Sequence, residues 1–185
     1  MILDEKSLKN HSRFLSRILR HKPELIGIVL DNHGYVAVET LLNALQNSQF
    51  PMTRAMLDEV VANNDKKRFS YSDDGLKIRA NQGHSVAVDL NLSPQIPPPI
   101  LYHGTAIDSL DGIWQMGLIP KTRHHVHLSG DVQTAIKVGK RHGAVAVLRV
   151  DTAQMVADGV VFYRSANGVW LVDTVPPKYL ERLAL

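Results

Sequence analysis

A proline-rich segment near the middle of the chain limits the folds available to it. Residues 91–99 contain four prolines in nine positions. Proline cannot continue a helix or a central strand, and runs of it favour extended polyproline geometry. We therefore predict a semi-rigid linker over residues 91–99, between an N-terminal lobe of residues 1–90 and a C-terminal lobe of residues 100–185. A proline-rich loop inside a single domain is the alternative.

The composition allows this division and excludes several classes of protein. Of the 185 residues, 44% are hydrophobic and 21% are charged, which suits two small globular domains or one large one. The chain has no cysteine, which excludes a disulfide scaffold and a thiolate zinc site and suits a reducing cytosol. The N-terminus turns polar at once and no apolar run approaches membrane-spanning length, so we expect a cytoplasmic protein. A formal net charge of +3 is too small to name a partner.

Hydrophobic periodicity in the N-terminal lobe predicts three helices followed by a hairpin. Apolar residues recur at helical spacing in residues 8–21, 39–46 and 54–63. Two short alternating strands in residues 68–79 flank the turn Asp73–Gly75. This order is winged-helix-like, an architecture that often binds nucleic acid, although a fold alone does not establish a function.

The C-terminal lobe is predicted to combine helices with short antiparallel strands, so the chain as a whole is α+β. Helices are predicted at residues 108–115 and 131–141, and Gly104 is expected to stop the first strand. The predicted strands are 100–103, 126–128, 144–150, 160–163 and 168–172.

The first helix carries an unusual charge pattern. At 100° per residue, five cations fall within about 80° of one another, opposite the apolar side of the helix. They are Lys6, Lys9, Arg13, Arg17 and Arg20. No acidic residue lies between Lys6 and Pro23 to pair with them, which favours an anionic partner over a simple solvated face. Arg20 and His21 at the helix end suit a phosphate, although a basic surface helix remains the alternative.

Two further segments of the N-terminal lobe are candidates for binding. Lys66–Arg68 is a basic run at the start of the hairpin. The alternative is that these cations only keep the end of a surface strand soluble. Arg79–Ser85 follows the hairpin and offers amide, imidazole and hydroxyl groups around Gly83. This second segment could equally be a polar loop without a function.

The strongest local pattern lies around a short strand in the C-terminal lobe. Because alternate residues of a strand share a face, Val126 and Leu128 are expected to point into a core. The opposite face then carries Arg123, His125, His127 and Ser129. This polar face on an apolar back is a plausible wall of a site. An exposed polar face is the alternative.

A metal site and several common enzyme classes are less well supported. His103, His125 and His127 could together bind a metal, but the HExxH spacing and a clear carboxylate partner are absent. The sequence has no phosphate-binding P-loop, no GxGxxG and no GxSxG. Glu181 is the single glutamate of the C-terminal lobe, so general-base carboxylate chemistry is poorly provided for.

Six segments of the sequence resemble the RNA 2′-phosphotransferase family, whose members use NAD to remove an internal 2′-phosphate from RNA. They occur in family order over nearly the whole chain. These segments are Leu15–Pro23, Asn64–Phe69, Arg79–Ser85, Tyr102–Thr105, His125–Ser129 and Asn167–Leu171.

The resemblance implies a fold, a reaction and partners. The first lobe would be a winged helix, and the second an ADP-ribosyltransferase-like fold that binds NAD. The partners would be NAD, which is consumed, and RNA with an internal 2′-phosphate, as at a tRNA splice junction. Neither a metal nor an obligatory protein partner is implied. The RNA phosphate would first be ADP-ribosylated with release of nicotinamide. Transesterification would then yield 2′-OH RNA and ADP-ribose 1″,2″-cyclic phosphate.

The resemblance also assigns roles to residues. Arg20, His21 and Arg68 would bind the 2′-phosphate, and Arg123 would stabilise charge on phosphorus in the second step. The implied NAD-binding residues are His103, Gly104, Thr105, His127, Ser129, Asn167 and Gly168. The loop Lys121–His124 departs from the Met-Ser-Arg-Asn expected in many relatives, although it keeps the arginine.

Two other functions stay open at this stage. One is a winged-helix nucleic-acid-binding module without catalysis, which would have no use for the polar face around Arg123. The other is an ADP-ribosyltransferase that stops after capping a nucleic-acid phosphate. The catalytic glutamate of protein-modifying ADP-ribosyltransferases is missing, which favours a phosphate acceptor over a protein.

Overall fold

The structure is a computed structural model and describes residues 4–64 and 66–184. The N-terminal Met1–Leu3, and Asp65 within one of the family-like segments, lie outside the described residues. The chain divides into two compact units, Met1–Asn91 and Leu92–Leu185. We call them unit 1 and unit 2. Both combine helices with small sheets, so the predicted α+β class is confirmed.

The described residues of unit 1 form three α-helices, a short 3-10 helix (Pro23–Ile26) and one three-stranded antiparallel sheet. Its elements follow the order α1 (Glu5–Arg20), β1 (Val36–Ala37), α2 (Val38–Leu45), α3 (Arg54–Ala62), β2 (Phe69–Tyr71) and β3 (Lys77–Ala80). The strands are ordered β1-β3-β2, with Ile78 paired to both Val36 and Tyr71. All three predicted helices and the hairpin are confirmed.

The ends of α1 explain its length. The Asp4 side chain accepts a hydrogen bond from the Ser7 amide at 2.6 Å, so the helix begins before the predicted start at residue 8. Pro23 follows the last turn, where it cannot continue the helix. Leu15, Ile18 and Leu19 are fully buried on the apolar side and join the core of unit 1.

Two three-stranded antiparallel sheets are formed by the described residues of unit 2. In chain order its elements are β4 (Ile100–Ala106), α4 (Leu110–Met116), β5 (Val126–Leu128), α5 (Val132–Gly139), β6 (Val145–Asp151), α6 (Thr152–Ala157), β7 (Tyr163–Arg164), β8 (Trp170–Val172) and β9 (Leu180–Arg182). One sheet has the order β4-β6-β9 and the other β5-β8-β7. Val126 and Leu128 of β5 are buried in the core, as the alternation predicts.

The prediction that Gly104 stops the first strand is wrong, because β4 continues to Ala106. Helix α5 lies directly against the backbone at this point. A Cβ atom on Gly104 would lie 1.7 Å from the Ala135 carbonyl oxygen and 2.9 Å from the Gly139 nitrogen. The glycine therefore permits a close approach between helix and strand.

Other differences concern short elements at sheet edges. The strand predicted at 160–163 is the two-residue β7, and the one predicted at 168–172 starts only at Trp170. The sequence pattern did not indicate β1, β9 or α6. Within the described residues, no helix has both the length and the apolar character needed to cross a membrane.

Candidate functional site

In unit 1, Arg20 and His21 occupy the C-terminal end of α1, where the following chain returns to cap the helix. The Arg20 carbonyl oxygen accepts hydrogen bonds from the amides of Ser85 and Val86, at 2.9 and 3.3 Å. These bonds satisfy a carbonyl that the helix itself leaves without a partner. Nε and Nη2 of the Arg20 guanidinium are buried, so this cation is partly desolvated. A partly desolvated cation gains more from an anionic ligand than one in open water.

The imidazole of His21 is exposed, but one of its nitrogens is engaged. His21 Nδ1 lies 2.9 Å from the Ser85 hydroxyl oxygen. The ring is thereby oriented by the same loop that caps α1, the segment around residues 81–86. Its Nε2 atom lies on the edge of the ring away from this contact.

Arg68 is fixed by a buried amide. Asn64 is 7% exposed, and its Oδ1 accepts from the guanidinium Nη1 of Arg68 at 3.1 Å. The same oxygen accepts from the Lys66 and Arg68 amides at 3.2 and 3.4 Å. The Asn64 Nδ2 group donates to the Ser12 hydroxyl at 2.7 Å, which ties this segment to α1. Arg68 is therefore held from both its backbone and its side chain.

The backbone before Arg68 adopts a rare conformation. Lys67 has φ of 40°, in the left-handed region that non-glycine residues seldom occupy. A second buried amide holds it there: Asn81, 5% exposed, donates from Nδ2 to the Lys67 carbonyl at 2.6 Å. The Asn81 amide donates to the Arg68 carbonyl at 2.8 Å. Strained backbone of this kind persists where its surroundings fix it, and it often accompanies function.

In unit 2, Arg123 lies in the bend before β5, not within the strand as the alternation predicts. Its Nη1 is nevertheless 3.2 Å from Nδ1 of His127. Because a guanidinium can only donate, His127 Nδ1 accepts and its Nε2 carries the proton. Partial burial, followed by the nearby Arg141 charge, lowers the pKa of Arg123, which remains a cation. Such a site favours an anion.

His103 on β4 contacts the same segment. Its Nδ1 lies 3.1 Å from the His127 carbonyl oxygen and must donate to it. Burial lowers the pKa of His103, which keeps the imidazole neutral near pH 7. Nε2 of His103 is then a hydrogen-bond acceptor, suited to a hydroxyl group. The structure thus brings Arg123, His127 and His103 into one contact chain.

The remaining residues that the resemblance assigns to NAD have different surroundings. The Ser129 and Tyr102 backbones exchange two hydrogen bonds, at 2.8 and 2.9 Å, so Ser129 adjoins the strand of His103. Thr105 is buried next to Gly104, whose missing side chain accommodates α5. Asn167 and Gly168 lie in the turn between β7 and β8. There Asn167 Oδ1 accepts from Ser165 at 2.7 Å, and Gly168 has φ of 81°.

His125 has its own partners. Its Nε2 is 3.6 Å from Asp173 Oδ1, and its ring packs edge-on against Tyr163 at 5.7 Å between centroids. Burial lowers the pKa of His125, and the Asp173 charge acts in the opposite direction. In the part of the chain that is described, no group of three His, Cys, Asp or Glu side chains is arranged to hold a metal ion.

The sequence pattern missed the residues that hold the candidate side chains in place. Asn64 is not among the predicted site residues, and Asn81 and Ser85 are predicted only as members of the candidate segment Arg79–Ser85. The signal available in the sequence is their residue type. Amides and hydroxyls next to a basic run can fix an arginine or a histidine, as Asn64 and Ser85 do here.

Comparison with known proteins identifies the family of the chain. A family model described as RNA 2′-phosphotransferase, Tpt1 / KptA family, matches residues 6–174. A protein of Trichormus variabilis named Probable RNA 2′-phosphotransferase is 56% identical over 93% of this chain and 94% of its own length. Proteins with the same name from Nostoc punctiforme and Escherichia coli are 50% and 51% identical, over 98% and 96% of this chain and 100% and 97% of their own lengths. The chain therefore belongs to the RNA 2′-phosphotransferase, Tpt1 / KptA family, and is a transferase.

Proposed function

We propose that the protein removes an internal 2′-phosphate from RNA in an NAD-dependent reaction of two steps. The family match over most of the chain is the observation that carries this proposal. The chemistry of Arg20, His21 and Arg68 supports it, because arginine and histidine side chains bind and orient phosphate. The RNA substrate would be a 2′-phosphorylated strand of the kind found at a tRNA splice junction.

In the first step, a 2′-phosphate oxygen attacks the anomeric carbon of the nicotinamide ribose of NAD. The glycosidic bond breaks and nicotinamide leaves with the bonding electrons. The nucleophile is already an anion, so the step needs positioning and charge compensation more than a general base. Arg20, His21 and Arg68 supply these, with Asn64 and Ser85 holding Arg68 and His21 in place.

In the second step, the neighbouring 2″-hydroxyl of the transferred ribose attacks phosphorus and loses its proton. The bond from phosphorus to the RNA 2′-oxygen breaks, and that oxygen takes up a proton. The products are 2′-OH RNA and ADP-ribose 1″,2″-cyclic phosphate. Arg123 stabilises the charge that develops on the phosphoryl oxygens, as arginines do in other phosphoryl transfers. His127 orients the Arg123 guanidinium through their 3.2 Å contact.

Unit 2 would bind NAD. The neutral His103, with Nδ1 directed to a carbonyl, offers Nε2 to a ribose hydroxyl. Thr105, His127 and Ser129 would lie near the same ligand, with Asn167 and Gly168 at its border. The order α1-β1-α2-α3-β2-β3 in unit 1 supports a winged helix, and we assign the ADP-ribosyltransferase-like role to unit 2.

An assay with an oligonucleotide that carries one internal 2′-phosphate distinguishes this function from its alternatives. With NAD, the wild-type protein should release nicotinamide and leave RNA with a free 2′-OH. A binding module would do neither, and a capping ADP-ribosyltransferase would stop at ADP-ribosylated RNA. Arg123→Ala should accumulate that intermediate, because step one proceeds without this side chain. If Arg123→Ala forms the same products as the wild type at the same rate, the role assigned to Arg123 is wrong.

A further inference from the structure

The basic stripe of α1 is larger than the proposed reaction requires. It consists of Lys6, Lys9, Arg13, Arg17 and Arg20, which occupy about 80° of the helix surface. Arg20 alone has a role in the proposed chemistry. The other four side chains are exposed, and the stripe extends about 21 Å along the helix axis.

This charge pattern opposes the stability of the helix that carries it. Lys9, Arg13 and Arg17 follow one another at intervals of four residues, where like charges repel. Lys6 in the first turn also lies at the unfavourable end of the helix dipole, whereas Arg17 and Arg20 in the last turn lie at its favourable end. Over residues 4–64 and 66–184, Lys9, Arg13 and Arg17 form no ion pair with a carboxylate.

Packing does not account for the stripe either. The opposite side of α1 supplies the core, through the buried Leu15, Ile18 and Leu19. The stripe itself faces solvent, apart from the half-buried Arg20 at its end. Lys9, Arg13 and Arg17 are exposed and form no ion pair with a described carboxylate, and such a row of cations is typical of a surface that binds a polyanion. This row ends at the residue that is proposed to bind the 2′-phosphate.

We propose that Lys9, Arg13 and Arg17 bind the backbone phosphates of the RNA strand that carries the 2′-phosphate. The inference rests on the proposed function. The strand lies along α1, with its 2′-phosphate at Arg20 and His21 and its neighbouring nucleotides over the stripe. Lys and Arg side chains along one helix face can bind phosphates irrespective of sequence, as most protein contacts to a nucleic-acid backbone do. The stripe therefore adds affinity for longer RNA without adding sequence preference.

Steady-state kinetics on two substrates test this surface. One substrate is a 2′-phosphorylated dinucleotide, and the other an oligonucleotide that extends beyond the stripe on both sides of its 2′-phosphate. Lys9→Ala/Arg13→Ala/Arg17→Ala should raise KM for the oligonucleotide on the order of tenfold, since it removes three phosphate contacts. Its kcat on both substrates, and its KM for the dinucleotide, should match the wild type.

Salt dependence of oligonucleotide binding, measured without NAD, gives a second readout. Each phosphate contact to a single strand contributes about 0.7 to the slope of log K against log salt concentration, so the triple variant should lower that slope by about 2. A charge-matched control, Lys137→Ala/Lys140→Ala/Arg182→Ala, removes three exposed cations from unit 2. This control should keep the wild-type slope and KM.

The outcomes separate the two proposals. An unchanged KM and an unchanged slope in the stripe variant would overturn the RNA-binding role of the stripe. An equal loss in the control variant would overturn it too, because net charge alone would then explain the effect. The wild type and both variants could fail to convert either substrate with NAD while the stripe variant still has a lower slope of log K against log salt concentration. In that case the proposed function is wrong and the RNA-binding role of the stripe is supported.

Discussion

At the scale of single residues, the candidate site depends on side chains that do not themselves bind the substrate. Asn64 contacts the Arg68 guanidinium, and Ser85 contacts the His21 imidazole. His21 and Ser85 are separated by 64 residues, and Ser12 and Asn64 by 52, so no local pattern in the sequence predicts these two contacts. Asn64 and Arg68 are only four residues apart, and the amide beside the basic run is a local signal for that contact.

Asn64→Ala should slow the first step as well as destabilise unit 1. The substitution removes the acceptor for Arg68 Nη1 and for two amides, and an unsatisfied buried group costs about 1–3 kcal/mol. We expect nicotinamide release to slow on the order of tenfold or more, because Arg68 is no longer fixed. Single-turnover kinetics at saturating NAD and RNA measure this rate.

Ser12→Ala is the matched control for Asn64. It removes the other hydrogen bond of the same amide, at 2.7 Å, but leaves the contact with Arg68 intact. Its rate of nicotinamide release should stay near the wild-type value even if its stability falls. Equal losses of rate in the two variants would mean that Asn64 acts through stability alone.

The protonation of His103 should couple the stability of the protein to pH. Burial lowers the pKa of folded His103 below its ordinary value of 6.5, so the unfolded chain binds a proton at a higher pH. The stabilisation is complete above pH 6.5 and is lost as the pH falls below it. Urea unfolding at about pH 7.5 and about pH 5.5 should show lower stability at the acidic pH.

His103→Gln tests whether this residue is responsible. The variant should lose part of the pH dependence, with the remainder due in part to His125, whose pKa burial also lowers. If His103→Gln keeps the entire wild-type dependence between the two pH values, the imidazole is not neutral in the folded protein as the structure implies.

At the scale of secondary structure, local sequence signals predict the longer helices and strands. They do not predict elements whose formation depends on tertiary contacts. The end of α1 near Pro23 follows from a local rule, because proline cannot continue a helix. The hairpin turn at Gly75, whose φ is 70°, follows from the local preference of glycine for such turns. β1 and β9 are two and three residues long and exist through their pairing with distant strands, so they have no periodicity of their own. The local pattern at Gly104 predicts the end of a strand, but Gly104 lies inside β4, where α5 packs directly against it.

Gly104→Ala should strongly destabilise unit 2. The added Cβ would meet the Ala135 carbonyl at 1.7 Å, and backbone atoms cannot move aside as a flexible side chain can. We expect a loss of about 3 kcal/mol or more in the free energy of unfolding. Gly112→Ala in α4 is the control, since a Cβ there meets nothing within 4 Å and alanine favours a helix by about 1 kcal/mol. Comparable unfolding midpoints for the two variants would contradict the close packing of α5 on β4.

The basic stripe predicts a trade between stability and binding. Lys9→Ala/Arg13→Ala/Arg17→Ala removes two like-charge pairs at four-residue spacing, each unfavourable by about 0.2–0.5 kcal/mol, and introduces the best helix former. Arg17 lies in the last turn, where a cation favours the helix by about 0.3–1 kcal/mol, so its loss offsets part of this gain. The variant should therefore be at least as stable as the wild type at low ionic strength. The difference should shrink at high salt, where the repulsion is screened. A less stable variant would mean that the stripe has a structural role in unit 1.

At the scale of the whole molecule, the distribution of charge carries more information than its sum. Residues 1–91 have 12 Lys and Arg against 11 Asp and Glu, and residues 92–185 have nine against seven. Neither unit is strongly basic. Five of the 12 cations of unit 1 nevertheless share one face of α1, and Arg123 of unit 2 lies beside His127. The small net charge therefore says little about the partner.

The division into two units follows from separate hydrophobic cores. One core contains Leu15, Ile18 and Leu41 of unit 1, and the other contains Leu101, Leu148 and further residues of unit 2. Periodicity predicts Leu15, Ile18 and Leu19 of the first core, and alternation predicts Val126 and Leu128 of the second. The assignment of phosphate binding to unit 1 and NAD binding to unit 2 comes from the family resemblance and stays a prediction.

The fate of the phosphorus atom tests the central claim most directly. Phosphorus NMR can follow an oligonucleotide with one internal 2′-phosphate during incubation with the wild-type protein and NAD. We predict that the monoester signal of the RNA disappears and that a cyclic diester signal on ADP-ribose replaces it, with one nicotinamide released for each phosphate transferred. Release of inorganic phosphate, or loss of the RNA signal without NAD, would contradict the account.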